Sequence, residues 1–135
     1  REHSEHELKT KLLAKDFDVE LIDEVLESLK SQNYLDDARY AKMILKNGYE
    51  RGHGPQKVAY HLRQKQVDSD IVQQEFESFE ADWFALAKQV KLKKFGDKPL
   101  PSDTTERFKE KAKQMRFLTG RGFDAAQIQG VVDDQ

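Results

Sequence analysis

The residues best equipped for chemistry in this chain are its cations, and they are unevenly distributed. Between Lys88 and Arg121 stand 11 Lys or Arg against four acids, a net of +7, whereas residues 1–37 hold 5 basic and 11 acidic residues, a net of −6. A charge reversal of this size lets one end face phosphates or acidic protein while the other repels them. "KQVKLKKFG" reads as a helix with Lys88, Lys91 and Lys94 aligned outward and Leu92 and Phe95 turned inward, and "RFKEKAKQMRF" does likewise with Arg107, Lys111 and the neighbouring Lys113. Lys88, Lys91, Lys94, Arg107 and Lys111, with Arg51, Lys57, Arg63, Arg116 and Arg121, form the candidate basic surface for a partner or for DNA.

"RGHGPQKV" is the most distinctive short stretch. Gly54 and Pro55 read as the N-cap and first residue of a helix. Arg51, His53 and Lys57 would then surround a helix N-terminus suited to a phosphate or carboxylate, against the plainer reading of a linker between units. His3 and His6 could put two imidazoles on one helical face, but no further ligands close a site, and a terminus capped by Ser4 accounts for them. Trp83 and Phe84 could stack on a base, although their periodicity fits core packing. No nucleophile elbow, zinc-protease motif or phosphate-binding loop occurs, and carboxylates such as Glu20 and Glu24 lie on a charged helix face. No catalytic residue, metal or cofactor is therefore expected.

Helices must position these cations. The 135 residues are 36% charged and 37% hydrophobic with a mean hydropathy of −0.86, so the core must be thin and built from amphipathic stripes. Seven Gly and three Pro leave long uninterrupted stretches, which predicts an all-α fold. Without Cys there is no disulfide framework and no thiolate metal site, a composition that suits a reducing cytoplasm. No apolar run approaches the roughly 18 residues of a membrane span. The chain starts at Arg1, not Met, and "REHSEHEL" enters a helical pattern almost at once, so a missing N-terminal piece is expected.

One pattern recurs three times. Leu12, Leu62 and Leu118 align, as do Lys15, Lys65 and Arg121, then Phe17, Val67 and Phe123, then Asp18, Asp68 and Asp124. Ile22, Val72 and Ile128 follow, then Leu26, Phe76 and Val132. The columns describe a helix, a tight turn and a second helix. The Leu and the apolar residue close a corner, and the Asp caps the next helix. The cation complements the preceding helix dipole. At the turn itself, Gly122 suits a left-handed conformation, Asp16 tolerates it and Gln66 suits it least. A third helix is expected from Asp36 or Asp37 to Gly48, its counterpart over "DWFALAKQVKLKKFG", and a final pair from about Asp103 to Thr119 and Asp124 to Val132. The expected organisation is a tandem array of three-helix repeats, elongated and curved: residues 1–52, residues 53–98, and residues 99–135 with two helices. Such arrays bind along an extended surface instead of enclosing a small substrate.

The stretches "REHSEHELKTKLLAKDFD", "YLDDARYA", "RGHGPQKVAYHLRQKQVD", "DWFALA" and "KQMRFLTGRGFD", in this order and spacing, resemble the RecX family of recombination regulators across nearly the whole chain. Gly122 keeps the family's usual turn glycine, whereas Asp16 and Gln66 depart from it. The resemblance implies a non-enzymatic, monomeric cytoplasmic regulator that binds the RecA recombinase and its filament on single-stranded DNA. It would lie in the filament groove and depress strand exchange, ATP hydrolysis and co-protease activity. The alternative is a direct, weakly specific nucleic-acid binder, against which stands a pI of about 6.1 for the whole chain.

Overall fold

The computed structural model describes residues 2–133, all helix and connection, with no strand among them. In chain order the helices are α1 (Glu5–Ala14), α2 (Val19–Ser31), α3 (Asp37–Glu50), α4 (Pro55–Gln64), α5 (Ser69–Ser78), α6 (Trp83–Phe95), α7 (Thr104–Gly120) and α8 (Ala125–Val132). The chain divides into two compact units. The first takes in the residues up to Lys46 together with Ala59–Phe79, and the second takes in Asn47–Val58 and the residues from Glu80 onward.

All three recurrent corners form with one set of backbone hydrogen bonds. The N–H of Phe17, Val67 and Phe123 reaches back to the carbonyl of Leu12, Leu62 and Leu118 at 3.4, 3.1 and 3.2 Å. One residue earlier, Asp16, Gln66 and Gly122 each donate at 3.0 Å to Leu13, Arg63 and Thr119. This pair of bonds satisfies the last carbonyls of a helix and requires a left-handed residue. All three positions have it, with φ of 62° at Asp16, 56° at Gln66 and 97° at Gly122. The following Asp then caps the next helix: Asp18 accepts from Glu20, Asp68 from Asp70 and Asp124 from Gln127. The aspartate column thus supplies acceptors for the orphan N–H groups that any helix start leaves unpaired.

In the first unit, Ile22, Leu26 and Leu35 form a buried cluster lined by Leu8, Leu12 and Leu29. Tyr40, Ala41, Leu45, Leu62 and Val67 are buried as well. Ser4 and Glu7 close a capping box at the start of α1. The Glu7 carboxylate also lies 3.5 Å from Lys65. Burial works against its charge, but the Ser4 N–H, the Tyr40 hydroxyl and Lys65 together hold it below the usual glutamate range. In the second unit, Leu86 and Ala87 of α6 pack with Leu118, Phe123, Ile128, Val131 and Val132, flanked by Tyr49, Trp83, Val90 and Phe117. Trp83 packs partly buried against this core, edge-on to Tyr49 at 5.4 Å.

Gly48 does not close α3, which continues to Glu50. Its absent side chain serves packing instead, since a methyl group there would come within 2.7 Å of the Val58 side chain. Gly96, by contrast, does end α6, with φ of 75°.

Candidate functional site

"RGHGP" is built into the second unit by its backbone. The Gly54 N–H donates to the Arg121 carbonyl at 2.7 Å and the Gln56 N–H to the Gly122 carbonyl at 2.9 Å. A side chain at Gly54 would overlap the Gly122 carbonyl, and one at Gly122 would overlap Lys57. The start of α4 is therefore seated on the α7–α8 corner, and two of its N–H groups are already paired with carbonyls. The anion site expected around Arg51, His53 and Lys57 gives way to a structural joint, because the dipole end that would draw the anion is occupied by protein. His53 itself donates its N–H to Gly48 at 2.8 Å, and Lys57 is exposed above Gly122.

Lys91 is the clearest correction on α6. The helix turns Leu86, Ala87 and Val90 inward, and Lys91, one turn beyond Ala87, goes with them. It is only 4% exposed, and its ammonium donates to the Val131 carbonyl at 3.3 Å. A cation beside the last carbonyls of α8 complements that helix end while its methylenes fill the core. Lys91 thus leaves the candidate surface. Leu92, expected inward, is 52% exposed. The register of α6 is set by its apolar residues, one position away from the register the lysines suggest.

Arg51, Lys94 and Arg121 do come together. They rim a cleft of about 510 Å³ between the end of α3, α6 and α7, joined by Lys93 and Glu50. Tyr49, Leu86, Val90 and Phe117 supply its apolar lining. Gly52, with φ of 80°, brings the backbone against Val90, where a side chain would come within 2.9 Å. Phe117 is the hub of this region: the Lys94 ammonium lies 5.5 Å and the Arg121 guanidinium 5.3 Å from its ring centre, with Phe95 edge-on at 5.4 Å. Each such cation–ring contact is worth about 0.5–1 kcal/mol at an exposed site. It also fixes where a flexible cation spends its time.

The remaining candidates lie elsewhere. Lys88 is exposed on α6 and Arg107 is half-buried on α7. Lys111 pairs with Asp133 at 3.1 Å, and this bond holds the Asp133 carboxyl below the ordinary aspartate range. Arg116 lines a second, shallower groove of about 500 Å³ with Phe108, Lys109 and Lys113. In the first unit Arg63 lies 5.7 Å from the Tyr60 ring. Sequence reasoning passed over Lys93 and Phe117 as site residues. The signal for Phe117 was present, since Phe117 and Arg121 are four residues apart on one helix and must be neighbours. No group of three or more His, Asp or Glu side chains among the described residues is arranged to hold a metal ion, and no described helix is long and apolar enough to cross a membrane.

Family models for the first, second and third three-helix domains of RecX match residues 1–29, 36–74 and 80–132. They divide the helices before α3 and before α6, whereas the repeat bounds read from the sequence columns fall after residues 52 and 98. Regulatory protein RecX of Vibrio vulnificus strain CMCP6 is 36% identical over 135 residues, covering 100% of this chain and 85% of its own length. That of Halorhodospira halophila strain DSM 244 / SL1 is 36% identical over 128 residues, covering 95% and 76%. A crystal structure of regulatory protein RecX aligns with a TM-score of 0.81 at 25% identity, and the chain spans 100% of its own length but 66% of that solved chain. The similarity to the relatives runs through all three corners and both units, and the chain belongs to the RecX family of regulatory proteins.

Proposed function

We propose that the chain is a negative regulator of the RecA recombinase that binds the RecA filament on single-stranded DNA and depresses its recombinase, ATPase and co-protease activities. Membership in a family of regulatory proteins supports this reading, and the observation that carries it to a surface is the cation-rimmed cleft of the second unit. The cleft presents positive charge beside apolar area, which suits an acidic protein surface or the phosphates of bound DNA. Several modest contacts along one chain of helices gain strength when a single partner lattice satisfies them together. The chain needs no catalytic group for this work, acts as a monomer, and meets its partner in the cytoplasm.

The direct test follows ATP hydrolysis by RecA on single-stranded DNA as the purified chain is added. Hydrolysis falls with increasing chain on this account, and unchanged hydrolysis at saturating chain overturns it. Direct nucleic-acid binding is the second reading, favoured by Lys88, Arg107 and Arg116 standing outside the cleft. Contact with about five phosphates would give a log–log salt slope of roughly −3 to −4 on single strands.

A further inference from the structure

We propose that the cleft between the end of α3, α6 and α7 is a docking site for an acidic peptide segment carrying one apolar anchor residue. Its rim holds Arg51, Lys93, Lys94 and Arg121, with Glu50 the one acid among the described lining residues. None of these four cations forms an ion pair among the described residues. Like charges gathered without carboxylate partners raise the local positive potential, and low-dielectric walls focus it, so an anionic occupant is favoured.

The floor decides which kind of anion. Phosphates would use the rim and leave the apolar lining empty, and a nucleic-acid strand would need a free aromatic face for its bases. Phe117 already holds Lys94 and Arg121 against its ring and Phe95 against its edge, while Tyr49 is packed edge-on to Trp83. A base could stack only by displacing those contacts. A peptide with acids on either side of a Phe or Leu uses both parts at once: carboxylates meet the guanidinium and ammonium groups, and the apolar side chain enters the space beside Val90 and Leu86. The proposal deepens the regulator reading and rests on it for the protein that supplies the segment. The chemistry of the cleft can be tested without that protein.

Fluorescence anisotropy with the full chain would use three probes: a labelled peptide of Asp and Glu around a single Phe, the same peptide with Ser in place of Phe, and an oligothymidylate of matched charge. The Phe peptide binds tightest, and Ser in its place weakens binding about tenfold, the loss expected when an anchor's apolar burial is removed. Lys94→Glu with Arg121→Glu weakens it at least about tenfold, because attraction becomes repulsion at the rim. Lys42→Glu, exposed in the first unit and outside the cleft, changes it less than about twofold. Should the Arg121 variant lose helicity, Arg51→Glu with Lys93→Glu makes the same test from exposed positions. Tighter binding of the oligothymidylate, indifference to the Phe, or unchanged binding by both double variants overturns the proposal. A chain that inhibits RecA but ignores the peptide removes the cleft and spares the regulator reading; peptide binding without inhibition does the opposite.

Discussion

The α1–α2 and α7–α8 corners have the same backbone and opposite surroundings. Both close with the same pair of carbonyl bonds, both place a left-handed residue at the turn, and both start the next helix on an aspartate cap. Yet Phe17 is 47% exposed, while its counterpart Phe123 is 1% exposed. The difference extends along the second helix: Leu21 and Val25 are exposed, whereas the matching Gln127 and Val131 are buried. In the second unit, α6 packs on α8, and the start of α4 is hydrogen-bonded to the corner itself. The repeated residues therefore encode the local turn, and whether the corner becomes core depends on what lies over it.

The largest expected effect breaks that comparison at its apolar residue. Phe123→Ala removes a fully buried ring and costs about 3–5 kcal/mol, whereas Phe17→Ala costs less than about 1 kcal/mol because much of that ring is already in water. Urea unfolding of the two variants measures both, and equal losses would mean that burial is not what separates the corners. Next come the turn residues. Gly122→Ala combines left-handed strain of about 1–2 kcal/mol with overlap against Lys57, and so destabilises. Gln66→Gly relieves the same strain with nothing lost in packing, since Gln66 is exposed, and raises stability by about 0.5–1 kcal/mol after the entropic cost of glycine. Thermal unfolding should move the two midpoints in opposite directions.

A smaller effect concerns the polar cluster of the first unit. Glu7 is held below the ordinary glutamate range, so its ionised form is bound more favourably in the folded chain than in the unfolded one. That contribution is complete above the ordinary value of about 4.3 and is lost as pH falls from there through the lowered value. Glu7→Gln should therefore be less stable than the parent at neutral pH and converge on it in acid. His61, which lies 3.3 Å from the Tyr40 hydroxyl, has its pKa lowered by burial and by Lys65 against the opposing pull of Glu7. It adds a separate loss of stability as pH falls below its ordinary value of about 6.5. The Glu7→Gln comparison leaves Tyr40, Lys65 and His61 in place, and a difference between parent and variant that does not narrow in acid would contradict the assignment.

Much of the fold was legible because its instructions are local. The turn column exposed all three corners, including the left-handed Asp16 and Gln66 that carry no glycine to announce them, and Asp82, Asp103 and Asp124 cap the helices they precede. The site was less legible because it depends on facing. Lys91 and Leu92 were read onto the wrong sides of α6, since a Lys at helical spacing looks solvated until the apolar residues around it fix the register. Gly48 and Gly54 looked like punctuation, and both are close-approach positions whose reason lies in a distant stretch of chain. The cleft joins Arg51 to Lys94 and Arg121, a juxtaposition that no spacing along the chain reveals.

The two units also differ in charge. A groove of about 450 Å³ in the first contains Glu5, Asp36, Asp37 and Asp68, opposite in sign to the cleft of the second. Binding of the full chain to preassembled RecA filaments on single-stranded DNA, measured by co-sedimentation, tests which unit does the gripping. Lys88→Glu, Lys94→Glu and Arg121→Glu together should weaken binding at least about tenfold, while Glu20→Lys, Asp23→Lys and Glu24→Lys on α2 should leave it undiminished. Full binding by the first variant, or its loss in the second alone, would contradict the account.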